Sequence, residues 1–232
     1  MKERNPMPIR KFSLIGLIAL GLIIISLVGE LFTFSNDIYI NIQTYVVLIS
    51  QIIGNTLFGV ALVGYFLHLK ENKMLKWTSL VIGVFYIVNL FAVNNLFGLF
   101  SDEFGLLITF KDSSLLYVYS IFVSIALIIF GYAFTKLGKV NKVIGLFAIL
   151  FIATSIYVTA SNIFTTKVCS MLEDANVNIH NVLEHEKMLA SSGYINIASY
   201  SCLFVVFLLL YINQRVVHTK TFKVKVEAPV EE

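Results

Sequence analysis

Charge is scarce in this sequence, and the places it avoids decide most of the reading. Only 13% of the 232 residues are Asp, Glu, Lys or Arg, against roughly 25% in a soluble domain. Hydrophobic residues make up 58% of the chain and the mean hydropathy is +0.85. That balance excludes an ordinary soluble core and indicates helices in lipid. No basic patch is interleaved with aromatic residues, so nothing supports a nucleic-acid partner. The two cysteines, Cys169 and Cys202, make neither a CxxC motif nor a disulfide framework. No apolar run holds the paired histidines that a membrane haem requires. The GxSxG, Walker and dinucleotide-binding patterns are missing as well. A non-enzyme without a cofactor is therefore expected.

What the chain does contain is six apolar runs, at residues 12–34, 44–67, 77–100, 115–135, 143–165 and 194–213. Each matches the roughly 20 residues that a helix needs to cross a bilayer. The first follows a basic lead, as in a secretory signal peptide, but the apolar part of such a peptide is only about 7–15 residues. Here it is longer and ends Gly29-Glu30-Leu31-Phe32, which predicts a retained helix. The longest piece between runs is 166–193. Within it Leu172, Ala175, Ile179, Val182 and Leu189 form a stripe at helical spacing, which predicts an external amphipathic helix over 171–189. His180, Glu184 and His185 suggest a metal at first sight. Their HxxxEH spacing matches neither HExxH nor HxxEH and sets the histidines about 140° apart, so a surface His180–Glu184 pair is expected and no metal. The fold class that follows is all-α: a polytopic six-helix transmembrane bundle in one domain, 1–232, with one external amphipathic helix.

Orientation follows from where the cations fall. Lys2, Arg4, Arg10 and Lys11 precede the first run, Lys70, Lys73 and Lys76 follow the second, and Lys136, Lys139 and Lys142 follow the fourth. Arg215, Lys220, Lys223 and Lys225 follow the sixth, so fourteen of the seventeen Lys and Arg lie on the side of the two termini. Only Lys111, Lys167 and Lys187 lie on the other. The positive-inside rule then predicts both termini in the cytoplasm and an even number of spans.

Polar side chains inside the runs gather in the half farther from the termini. Gln51, Asn55 and Gly59 recur every four residues and share one helix face. Ser120 and Ser124 lie on the fourth run, Thr159 and Asn162 on the fifth, and Asn196 on the sixth, whereas residues 203–210 and 125–130 are aliphatic and aromatic. Asn89, Asn94 and Asn95 on the third run point in three directions and cannot all line one cavity. Glu30 is the one carboxylate in any run. The pattern predicts a vestibule, open opposite the termini, that binds or transports a small solute or a lipid head group through Gln51, Asn55, Asn89, Asn94, Ser124, Thr159, Asn162, Asn196 and Glu30. The alternative is a non-catalytic membrane subunit, a sensor, immunity or oligomeric effector protein, whose amides only join helices. The expected partners are the lipid bilayer, a small polar ligand, and a second copy or another membrane protein.

Phe130-Gly131-Tyr132, then Lys136, Gly138 and Lys142-Val143-Ile144-Gly145, resembles the fourth-turn-fifth helix region of a family of uncharacterised bacterial six-span membrane proteins. The Gly29-Glu30-Leu31-Phe32 end of the first run is also similar. The resemblance covers about a third of the chain, and the long segment 166–193 departs from it. It implies a bacterial inner membrane and a six-span layout, and it supplies no activity.

Overall fold

The computed structural model describes residues 7–32, 37–69, 72–92, 113–139, 141–173 and 179–213. These residues are helical almost throughout: α1 (Met7–Leu31), α2 (Asp37–His68), α3 (Lys73–Ala92), α4 (Ser113–Thr135), α5 (Lys142–Glu173) and α6 (Ile179–Ile212), with a 3-10 turn at Lys136–Lys139. Each helix packs on its neighbours in the chain, and α6 packs on α1, so the six close into a ring. Arg10 at the start of α1 stacks its guanidinium 4.9 Å from the centre of the Tyr211 ring at the end of α6. The first and last helices therefore meet at one end of the bundle, the terminal end.

Local chemistry sets the helix starts there. Asn72 accepts the Leu75 N–H at 3.1 Å and Asn141 accepts the Val143 N–H at 3.0 Å, each the residue just before its helix. A short polar side chain at that position satisfies one of the orphan N–H groups of the first turn. At the far end Gln43 does the complementary work, its amide nitrogen donating to the carbonyls of Gly29 and Phe32 where α1 runs out of partners.

Among the described residues, four helical stretches are long and apolar enough to cross a membrane: Ile9–Leu31, Ile42–His68, Lys142–Ser161 and Ser191–Ile212. In α4 the described apolar stretch is the shorter Phe122–Thr135. The third and fourth expected spans lead into residues 93–112, outside the described residues, together with Asn94 and Asn95.

The separate amphipathic helix expected over 171–189 is not formed. Its beginning belongs to α5, its end to α6, and residues 174–178 lie outside the described residues. The physical reason is at 191–193, where Ser-Ser-Gly joins the segment to the sixth run without a break. The helix runs straight through, and Gly193 sits where a Cβ would come within 3.3 Å of Leu31, so this glycine fits α6 against α1 instead of ending a helix. At 34 residues α6 is about 50 Å long, well beyond the roughly 30 Å of a hydrocarbon core.

The interior of the terminal half is filled by rings. Phe207 of α6 is fully buried and lies 5.7 Å from Phe58, 5.6 Å from Tyr65 and 6.1 Å from Phe134, centre to centre. Its edge rests on Gly16 of α1, where a Cβ would be 2.5 Å from two ring carbons. Residues from α1, α2, α4 and α6 thus meet at one aromatic plug. Below it the Ser13 and Tyr65 hydroxyls pair at 2.6 Å. Between α2 and α3, Gly59 and Gly83 face each other, and a Cβ on either would stand 3.2 Å from the other's carbonyl oxygen.

Candidate functional site

Above the plug, buried polar side chains from four helices gather at one depth. Asn55 lies thirteen residues before the end of α2, Tyr86 thirteen after the start of α3, Ser155 thirteen after the start of α5, and Ser199 thirteen before the end of α6. At 1.5 Å per residue all four sit about 20 Å from the terminal end, and all four are buried. Four of the six helices thus carry a buried polar side chain at this one depth. α1 contributes only Leu20 at this level, also buried.

Part of this layer is closed on itself. The Ser155 and Ser199 hydroxyls lie 3.2 Å apart and join α5 to α6. Tyr86 and Tyr200 share a 2.6 Å hydrogen bond between helices that stand on opposite sides of the ring, and Phe58 meets the Tyr86 ring edge-on at 4.9 Å. Thr159 donates back to the Ser155 carbonyl at 2.7 Å.

The amides behave differently. Asn55 is only 6% exposed; its side chain makes no hydrogen bond to another described residue, although its polar atoms are not among those wholly enclosed without a partner. Gln51, one turn further along the same face, and Asn196, which shares its face with Ser199 and Tyr200, are half-buried and equally without a partner there. Two serine hydroxyls, Ser26 of α1 and Ser161 of α5, are 1% exposed and likewise meet no partner among the described residues. Each lies nineteen residues from the start of its helix, about 9 Å beyond the Asn55 level.

Of the expected site residues, then, Gln51, Asn55, Thr159 and Asn196 fall in this region of the interior, and Ser124 is half-buried on α4. Asn89 lies on α3 and Asn162 on α5, with side chains outside the described residues, and Asn94 is wholly outside them. Glu30 is exposed near the far end of α1 and stands apart from the layer. Sequence reasoning passed over Tyr86, Tyr200 and Ser26. The signal for the tyrosines was their depth: Tyr favours the membrane interface, so one placed mid-helix needs a buried partner. No known family model matches the chain, and neither a curated protein nor a solved structure matches it.

Proposed function

We propose that the chain is a six-span integral membrane protein of the plasma membrane with both termini cytoplasmic, and that the polar layer binds or passes a small polar solute. The distribution of fourteen of seventeen Lys and Arg at the terminal end supports the orientation. The observation that carries the functional reading is Asn55. A buried amide without a partner costs about 1–3 kcal/mol, and in hydrocarbon the cost is not relieved by bulk water. Such a group is retained where water or a ligand reaches it. The plug at Phe207 closes the layer toward the termini, which leaves the far end as the route of entry.

The second reading, a non-catalytic subunit with polar groups serving only to join helices, draws on Ser155–Ser199 and Tyr86–Tyr200, which satisfy each other. The two readings part over whether water reaches the amides. A thiolate attacks a small neutral thiol-specific reagent, and a thiol ionises readily only where water reaches it. In a background lacking Cys169 and Cys202, Cys introduced at 51, 55 and 196 should react, while Val60→Cys, on the exposed face of α2, should not. If the residue at 55 proves as inert as the one at 60, the solute reading fails and the subunit reading takes its place.

A further inference from the structure

The polar layer has a chemical peculiarity that bears on what it can hold. Across the six apolar runs of the sequence there is no Asp, Lys, Arg or His, and the single Glu is Glu30. Glu30 lies ten residues further along α1 than the Asn55 level, about 15 Å away along the axis. α1, α2, α5 and α6 run unbroken past the layer, so none of them offers the half-helix terminus that ion-binding transporters place at mid-membrane.

Resting on the solute-binding reading above, we infer that the layer selects uncharged hydrogen-bonding solutes of the polyol or carboxamide class and refuses ions of both signs. A phosphate, carboxylate or ammonium brought to this depth would be desolvated with no opposite charge to meet it. Asn55, Gln51 and Asn196 instead offer carboxamides, each with two donor hydrogens and an accepting carbonyl. The unpaired Ser26 and Ser161 hydroxyls, each able to donate and accept, add to them nearby. Neutral donors and acceptors of this kind match the hydroxyls of a small polyol or the N–H and C=O groups of an amide. The same argument removes the lipid phosphate from the ligands the layer accepts.

The full chain in proteoliposomes, lacking Cys169 and Cys202, tests this with three methanethiosulfonates of similar size: hydroxyethyl, trimethylammonioethyl and sulfonatoethyl. Rates at Asn55→Cys are divided by each reagent's rate on a free thiol in water, and Asn196→Cys serves as the second site if the first variant folds poorly. The neutral reagent should be favoured over both ions by at least about tenfold, the scale set by placing one charge at mid-membrane. Excess glycerol or urea should slow it, and choline or phosphate should not. Comparable normalised rates for either ion would overturn the selectivity and leave solute binding standing. No reaction with any reagent at both positions would overturn the two together.

Discussion

The contact between Gly16 and Phe207 can be tested by replacing one atom at a time. A methyl group at position 16 would stand 2.5 Å from two carbons of a ring that is itself held by Phe58, Tyr65 and Phe134. The ring cannot retreat without disturbing three aromatic contacts, so Gly16→Ala should cost about 1–3 kcal/mol of overpacking, offset by about 1 kcal/mol of gained helix propensity. Phe207→Leu removes the ring edge that the methyl meets and should cost about 1–2 kcal/mol on its own, through lost ring contacts. Together the two changes should be no worse than Phe207→Leu alone, because the clash and its partner disappear at once. Equilibrium unfolding in mixed micelles reads this out, with Trp77, the single tryptophan, as the fluorophore. A coupling of about 1 kcal/mol is expected. Costs that add within about 0.5 kcal/mol, as independent sites do, would refute the placement of Phe207 against α1.

Three further outcomes follow from the same geometry. Asn55→Leu removes an unpartnered buried amide and should leave unfolding stability unchanged or raise it by about 1 kcal/mol; a loss of about 0.6–2 kcal/mol would instead mark the amide as helix-joining glue. Tyr86→Phe takes a 2.6 Å hydrogen bond from Tyr200 and should cost about 1–2 kcal/mol, most of it recovered when Tyr200→Phe is added; the thermal midpoints of the two single variants and the double variant decide. Gly59→Leu should force α2 from α3, since its Cβ alone would be 3.2 Å from the Gly83 carbonyl, lowering folded yield and stability by about 1–3 kcal/mol, whereas Val60→Leu on the exposed face should change neither.

The helices were legible because hydropathy reports membrane span directly. The face that Asn55 and Gly59 share was legible too, since four-residue spacing needs no tertiary information, and both residues are buried. The plug was not. Residues 203–210 are uniformly apolar, and a helix hydrophobic all round carries no periodic mark of which side faces inward. Phe207 is therefore indistinguishable from Phe204 until the helices are packed. Tyr86 and Tyr200, 114 residues apart, share a bond that only the closure of α6 on α1 brings about. The lost external helix has a different origin: its apolar stripe was real as a pattern, but small residues at 191–193 permit helix continuation as readily as a turn when a neighbouring helix packs against them. Serine was the least readable residue of all. Ser13, Ser26, Ser79 and Ser161 are all buried, and a hydroxyl that can bond to its own helix leaves no trace in the sequence of where it points; Ser13 and Ser79 do so, to the Ile9 and Leu75 carbonyls, and Ser26 and Ser161 do not.

The central claim is a mid-membrane polar layer, reachable from the far end and sealed toward the termini by the aromatic plug centred on Phe207. Passage of glycerol into proteoliposomes, followed by light scattering after an osmotic step, tests it in the parent chain, in Phe207→Ala, and in Phe207→Ala combined with Asn55→Leu. Removing the ring should raise glycerol entry well above the parent, and replacing the amide should lower it again, because the solute loses its partner at the layer. Entry that stays at the level of protein-free vesicles in folded Phe207→Ala protein would contradict the claim.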